Sequence, residues 1–307
     1  MRKPTCLPNM ALSGLVLALA AVELVFVPIM LLPANFGGAL LAVGIVSAAT
    51  PLKSALIHEA IHGRLLISST RNDLLGRTLA MTSGVAFDVL RFGHLAHHRF
   101  NRHPLDRPDI IPEGRGLVLG WAAYYAHLLG GVYVTELSVT VLALLPQRLL
   151  ERLLETAFSG TDNATTILLS GAKRAIGNPI RLRRVRFDAG SALAVYAASF
   201  YLYGSNWMVL AAGLLIRGLI ISLQDNAAHY GTPAAIGASA YNTHLPRWLA
   251  ALLLYQNLHD VHHNRPDLAW TDLPKEFERT GGIYHGGYMR AVLRQLKGPL
   301  REPSGES

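Results

Sequence analysis

Eight of the thirteen histidines in this 307-residue chain have the spacing of residues that lie on one face of a helix, and a ninth belongs with them. The pattern HxxHH begins at His94 and again at His259, and HxxxH begins at His58. Residues at i, i+3 and i+4 project from the same side of an α-helix. A further histidine, His229, stands in the segment AAHYG. The full set is His58, His62, His94, His97, His98, His229, His259, His262 and His263.

The nine histidines predict a site for two metal ions. Neutral imidazole is a nitrogen ligand suited to iron, copper, zinc and nickel, and nine imidazoles exceed what one ion can hold. A single pair at helical spacing is common by chance, but two HxxHH segments and one HxxxH are hard to ascribe to surface solvation. The histidines outside the pattern are not expected to be ligands. They are His103, His127, His244 and His285.

Long hydrophobic runs indicate an integral membrane protein. Only 16% of the chain is charged, against about 25% in soluble domains. The run 10–32 carries one charge, Glu23, and the run 35–57 carries only Lys53. Each can cross a bilayer, which needs ~20 apolar residues. The short uncharged segment between the runs predicts a helical hairpin.

The remaining apolar runs complete the predicted architecture. Runs 189–203 and 207–223 predict a second hairpin that turns at 204–206. The run 117–145 is long for one crossing and short for two, and two glycines interrupt it, so a re-entrant or interfacial helix pair is predicted. The sequence therefore predicts an all-α integral membrane protein. It would have about four transmembrane helices in two hairpins, further interfacial or re-entrant helices, and a cytoplasmic histidine-rich cap.

Positive charge near the hydrophobic runs predicts their orientation. The net charge is +8; Arg2 and Lys3 precede the first run, and Arg64 and Arg71 follow the second. Because cytoplasmic loops are enriched in Lys and Arg, both termini and the active site are expected in the cytoplasm. The single cysteine, Cys6, cannot form a disulfide or an iron–sulfur cluster within the chain. No nucleic-acid motif is visible, and no nucleic acid is expected as a partner.

Other classes of metal protein match parts of the pattern. The segment HEAIH also reads as the HExxH zinc motif of metalloproteases, in which the glutamate acts as base. That motif is short and leaves six further clustered histidines unexplained. A metal transporter would place its ligands near the membrane midplane on broken helices, whereas these histidines lie at predicted helix ends. A soluble-type di-iron bundle needs two ExxH motifs, and only one is present. A di-metal oxidase acting on a lipid is favoured.

The order of the segments resembles the membrane fatty acid desaturase superfamily, whose mark is three histidine boxes: HxxxH, HxxHH and HxxHH. HEAIH, HLAHH and HDVHH match these boxes, and HHNRPDLAWTDLP (262–274) resembles the HHxxPxxxWxxLP continuation of many members. The segment HHRFNRHPLDRPDI is similar to the family's basic stretch ending in an aspartate. AAHYG resembles an extra ligand position before box three, including the HYG of related membrane alkane hydroxylases. The resemblance covers about residues 10–275 of an expected single domain, 1–307, whose residues 276–307 would form a cytoplasmic tail.

The resemblance implies two iron ions held by the nine histidines, O2 as co-substrate and a membrane lipid or acyl chain as substrate. Desaturation is the favoured outcome; carotenoid ketolases and hydroxylases, acyl hydroxylases and olefin-forming decarboxylases share the boxes and stay open. The chain has no HPGG haem motif of a fused cytochrome b5 domain, and no bound haem or flavin is expected. Electrons would come from a separate ferredoxin, flavodoxin or cytochrome.

Two further groups of residues have predicted roles around the site. Carboxylates often orient ligating imidazoles through their second nitrogen; Asp225 is the best candidate, followed by Glu59 and Asp260. No catalytic residue beyond the metal ligands is expected. The basic segment 181–186 is expected to contact an acidic electron donor or anionic lipid headgroups. Its cations are Arg181, Arg183, Arg184 and Arg186.

Overall fold

The all-α class predicted from the sequence is confirmed by the structure, a computed structural model that describes residues 6–232 and 240–301. Within these ranges the strands are the two-residue β1 (Ile110–Ile111) and β2 (Leu300–Arg301), which pair in parallel. The other described elements are helices. Arg2 and Lys3, which supported the predicted orientation, lie outside the described residues.

The first predicted hairpin is present as two apolar arms, Leu7–Ala34 and Phe36–Ile61, each long enough to cross a membrane. Asn35 makes the turn: its backbone is extended, and its side chain caps the second arm by accepting a hydrogen bond from Gly38 N at 2.9 Å. The first arm contains Pro28, which cannot donate a helical hydrogen bond. The elements are α1 (Cys6–Ala21), a π-helix (Val22–Leu31), α2 (Leu32–Ala34), α3 (Phe36–Ala48) and α4 (Thr50–Ile61).

Two helices of mixed polarity follow, α5 (Ser69–Met81) and α6 (Phe87–Phe100). Gly76 lets α5 approach its neighbours closely, because a Cβ there would lie 2.7 Å from the Phe87 ring. Arg77 on α5 pairs with Asp88 on α6 at 2.7 Å and also with Asp188 much later in the chain. These contacts fix α6, which carries the first HxxHH segment.

The apolar run 117–145 divides into two helices at its glycines, as the sequence predicts. Leu129 and Gly130 leave the helical conformation, and Gly130 has a φ of 121°, which favours glycine. That the pair re-enters the membrane without crossing it stays a prediction, because the whole run is long and apolar enough to span. The elements are α7 (Leu117–Ala126), a π-helix (His127–Gly131) and α8 (Val132–Leu142).

The second predicted hairpin is also present and turns at Gly204–Asn206. Its first helix begins at Pro179 instead of 189, so the basic segment 181–186 is part of this helix. Asn178 caps this helix by accepting hydrogen bonds from Ile180 N and Arg181 N, both at 3.0 Å. The helices of this region are α9 (Gln147–Ala157), α10 (Asn163–Gly177), α11 (Pro179–Tyr203) and α12 (Trp207–Ala227).

Charged side chains inside the apolar helices pair with one another. Glu23 of the first hairpin accepts a hydrogen bond from Arg217 of α12, and both side chains are nearly fully buried. Arg217 also donates to the Tyr196 hydroxyl of α11 at 2.7 Å. Lys53 of α4 donates to the backbone oxygen of Thr82 at 2.7 Å. Because unpaired charges in a membrane are costly, the contact between Glu23 and Arg217 holds the two hairpins together, and the contact of Lys53 joins the first hairpin to the end of α5.

The chain after α12 forms a cap beside the ends of the hairpins. Buried Gln295 joins the cap to α12: its side chain donates to Leu223 O at 2.8 Å and accepts from the Asn226 amide at 2.9 Å. The Tyr124 hydroxyl of α7 donates to Gln295 O at 2.7 Å. The cap helices are α13 (Arg247–Leu252), α14 (His259–Asn264), α15 (Leu273–Arg279) and α16 (Tyr288–Arg294). Single 3₁₀ turns lie at Pro104–Asp106, Trp270–Asp272 and Gln295–Lys297.

Candidate metal centre

All nine histidines predicted as ligands lie together in two adjacent groups. Within each group, one side-chain nitrogen per residue lies within 4.8 Å of the others. The first group consists of His58, His62, His94, His98 and His262. The second consists of His97, His229, His259 and His263.

Each HxxHH segment divides between the two groups. Its first and last histidines, at i and i+4, join one group, and its middle histidine joins the other. The middle residue is His97 in α6 and His262 in α14. Both helices therefore contribute to both groups, while α4 brings His58 to the first group and the turn after α12 brings His229 to the second.

In the first group, neighbouring ring nitrogens lie about as far apart as two adjacent ligands of one ion. The Nε2 atom of His94 is 2.9 Å from that of His62 and 3.0 Å from that of His98. The Nε2 atoms of His262 and His98 are also 3.0 Å apart. Ligand nitrogens ~2.1 Å from a metal ion and at right angles to each other would be about 3.0 Å apart.

The second group has the same spacing. The Nε2 atom of His263 lies 3.2 Å from that of His97 and 3.3 Å from that of His259, which in turn is 3.1 Å from that of His229. A neutral imidazole has one N–H, so rings that gather by the same nitrogen cannot all satisfy one another by hydrogen bonds. Two such sets of nitrogens fit two metal ions.

Burial keeps most of these rings neutral. Desolvation is the main cause that lowers the pKa of His62 to about 4, of His98 to about 2 and of His259 to about 3. Neighbouring histidines, or Arg64 beside His62, lower the pKa further. Neutral imidazole is the form that binds a metal, so the rings are ready to act as ligands near pH 7.

His97 has a carboxylate partner that the sequence interpretation missed. Burial disfavours its charged form, but the hydrogen bond and charge of Asp106 outweigh this and raise the pKa of His97. The Nδ1 atom of His97 lies 2.7 Å from Asp106 Oδ2. This contact places the proton on Nδ1 and leaves Nε2 as the free ligand atom. The available signal was the aspartate in the HHRFNRHPLDRPDI segment, nine residues after His97.

His58 is oriented by an amide. Its Nδ1 atom lies 3.2 Å from Gln256 Nε2, and its Nε2 atom is buried with no hydrogen-bond partner within 6–232 and 240–301. This orphaned nitrogen belongs to the first group and fits a metal ligand. Glu59, a predicted orienting residue, is buried, accepts a hydrogen bond from Trp270 N at 3.4 Å and lies 4.0 Å from His58 Nδ1. Glu59 therefore lies beside the proposed ligand His58 but beyond hydrogen-bond distance.

The other two predicted carboxylates differ in their surroundings. Asp225 retains accessible surface and acts electrostatically on His97 and on His127, so it lies near the second group. Asp260 instead contacts two asparagines, Asn242 and Asn264, at 3.4 and 3.2 Å. Its described hydrogen bonds include no histidine, so the role predicted for Asp260 is not supported.

The four remaining histidines lie outside both groups. His103 contacts Asp162, with Nε2 and Oδ1 3.1 Å apart. The His285 ring packs against the Tyr241 ring in a tilted arrangement, with 4.8 Å between ring centroids. These contacts give both rings a role that needs no metal.

Comparison with models of known protein families gives a match over most of the chain. A family model described as Fatty acid desaturase matches residues 32–291, a stretch that includes both histidine groups. No curated protein matches the chain.

Proposed function

The chain belongs to the fatty acid desaturase family, and we propose that it is a di-iron, O2-dependent membrane oxidoreductase that introduces a double bond into a fatty acyl chain. The observation that carries this proposal is the pair of adjacent histidine groups, which take in all three boxes and His229. Neutral imidazole suits several transition metals, and membership of the family favours iron among them.

In this proposal each histidine group holds one iron. The five nitrogens of the first group and the four of the second are the ligands, with no catalytic side chain beyond them. The two irons, when bound, supply with O2 the strong oxidant that hydrogen removal from an unactivated methylene requires. The side chains around them hold and orient the ligand rings and exclude water. Asp106 and Gln256 hold the rings of His97 and His58, and burial keeps the ligands neutral.

The position of the site supports a lipid substrate. His58 lies inside the apolar arm Phe36–Ile61, and His229 follows the apolar stretch Pro179–Ala227 by two residues. An acyl chain can therefore reach the histidines from the bilayer without crossing an aqueous layer. We place this edge and both termini on the cytoplasmic side, because Arg64, Arg71 and the arginines of α11 adjoin it.

The proposed electron donor is a separate ferredoxin, flavodoxin or cytochrome. Arg183 and Arg184 are exposed near the start of α11 and are available to an acidic partner. Arg186 is not available to such a partner, because its guanidinium binds Leu145 O at 2.7 Å and Ala143 O at 3.3 Å at the end of α8.

The geometry argues against the zinc protease alternative. In that alternative, Glu59 would act as base beside a zinc ion on His58 and His62. Glu59 instead contacts the backbone of Trp270, and both histidines share their group with three further rings.

Mass spectrometry of lipids from cells that express the protein tests the proposed reaction. The wild type should produce acyl chains with one additional double bond, and the His97→Ala variant should not. His285→Ala is the matched control, since His285 is an exposed histidine outside both groups, and it should retain the product. A new hydroxyl or keto group on a terpenoid ring, a hydroxylated acyl chain or a terminal olefin would assign the protein to another reaction of the family.

A further inference from the structure

An open pocket of about 580 Å³ lies between α6, α10 and α11, outside the histidine groups. Its apolar part is the Phe92 ring with the small residues Gly171 and Ala175. Gly171 lies beside Phe92, and a Cβ built on it would be in van der Waals contact with the ring at 3.5 Å. The polar part consists of Arg174, Asn178 and Arg181.

The two arginines of the pocket have no counter-charge. The guanidinium groups of Arg174 and Arg181 have no ion-pair or hydrogen-bond partner among the residues that the structure describes. Asn178 accepts two backbone hydrogen bonds through Oδ1, which leaves its amide nitrogen as a donor. Two guanidinium groups and an amide at one pocket match a phosphate, because the planar fork of Arg pairs well with phosphate oxygens.

The surface next to the pocket combines exposed apolar and basic side chains. Ile180 and Phe187 are 70% and 69% exposed and lie two turns apart on one face of α11, with the exposed Arg183 and Arg184 between them. This helix belongs to the apolar stretch Pro179–Ala227 that can cross a membrane. A cationic pocket at the start of such a helix, beside large exposed apolar side chains and further arginines, suits an anionic phospholipid, which has both a phosphate and acyl chains.

We propose that this pocket binds the phosphate headgroup of an anionic membrane phospholipid, whose acyl chains lie along Ile180 and Phe187. The exposed Ile180 and Phe187, at the start of a helix that can cross a membrane, favour a membrane lipid over a free phosphate or an acidic soluble protein. The proposal concerns a site separate from the histidines and does not depend on the reaction catalysed there.

Binding of defined lipids to the purified full-length protein in nanodiscs or mixed micelles tests this site. The probes are dioleoylphosphatidylglycerol and zwitterionic dioleoylphosphatidylcholine, with lipid occupancy measured by native mass spectrometry. The wild type should prefer the anionic lipid. Arg174→Gln and Arg181→Gln should each weaken its binding about fivefold, the loss expected for one cation at a membrane surface.

Two further variants distinguish a pocket from diffuse attraction. Arg183→Gln removes the same charge from the same helix outside the pocket and should weaken binding less than Arg181→Gln. Ala175→Phe fills the pocket without changing the charge and should weaken binding, with retained melting temperature as the check of folding. Equal losses for Arg181→Gln and Arg183→Gln, or no preference for the anionic lipid, would overturn the proposal.

Two other occupants give distinct results. If glycerol 3-phosphate displaces the anionic lipid from the wild-type protein at equal concentration, the site holds a soluble phosphate and the lipid assignment is wrong. If lipid binding is unchanged in Arg174→Gln and Arg181→Gln while docking of an acidic ferredoxin is lost, the pocket serves a protein partner and the proposal is also overturned.

Discussion

The Nδ1 atom of His97 lies 2.7 Å from Asp106 Oδ2, while its Nε2 atom points into the second histidine group, 3.2 Å from His263 Nε2. Asp106 therefore fixes the tautomer and the direction of a proposed ligand. Replacing a partner of this kind costs about 10- to 100-fold in metal affinity or activity. We expect Asp106→Asn to lower iron affinity by that amount, measured by competition with a chelator.

Asp260→Asn is the control for this prediction. It makes the same chemical change within box three, but Asp260 contacts only asparagines in its described hydrogen bonds. It should bind iron as the wild type does. Equal iron affinity in the wild type and Asp106→Asn, or an equal loss in Asp260→Asn, would show that the contact with His97 has no orienting role.

The division of each HxxHH segment between two groups gives a second prediction. His97→Ala should weaken the iron of the second group, and His262→Ala that of the first, although each histidine is adjacent in sequence to a member of the other group. Mössbauer spectroscopy of ⁵⁷Fe-loaded protein can follow the two irons separately. Loss of the same iron signal in both variants would contradict the assignment of His97 and His262 to different groups.

The intramembrane pair of Glu23 and Arg217 predicts a large stability difference between single and double variants. Removing one partner of a buried ion pair costs about 3–5 kcal/mol, because the other charge stays buried and unpaired. Glu23→Leu alone should lower the melting temperature strongly, while Glu23→Leu with Arg217→Met should recover most of the loss. Thermal melting in detergent measures both, and additive losses in the double variant would rule out the coupling.

A surface ion pair that holds α6 predicts a pH dependence. The hydrogen bond and charge of Arg91 lower the pKa of Asp73 below its ordinary value of 3.8. The pair therefore adds stability that is fully present above pH 3.8 and is lost as the pH falls through the lowered pKa. Because both side chains are partly exposed, the contribution is below about 1 kcal/mol.

Asp73→Asn tests this sign directly. At pH 7 the variant should be slightly less stable than the wild type, and the difference should shrink as the pH falls below 3.8. Glu278→Gln, which changes an exposed carboxylate, serves as the control and should show no such convergence. A difference that grows on acidification would contradict the role given to Arg91.

The sequence predicted the membrane hairpins and the nine clustered histidines because both depend on local patterns. Apolar runs of ~20 residues predict spanning helices, and i, i+3, i+4 spacing predicts a shared face. The start of α11 was missed because the predicted helix was limited to the apolar run 189–203, and the arginines of 181–186 lie outside that run. Asn178 followed by Pro179 was the signal for its beginning, as a cap residue before a first-turn proline.

Other features depend on contacts that no local pattern encodes. Asp106 reaches His97 from a 3₁₀ turn after an irregular loop, and Gln256 reaches His58 across 198 residues. The assignment of His97 and His262 to opposite groups follows from how α6 and α14 meet. Hydropathy identified Glu23 as a charge inside an apolar run but could not identify Arg217 as its partner.

Metal analysis of the purified protein tests the central claim most directly. Nine histidines in two groups predict two iron ions per chain, with His97→Ala losing iron and His285→Ala keeping both. The measurement is iron and zinc content by elemental analysis, alongside protein concentration and desaturation activity of the same samples. A single zinc per chain, with activity that survives the loss of His97 or His262, would contradict the di-iron account.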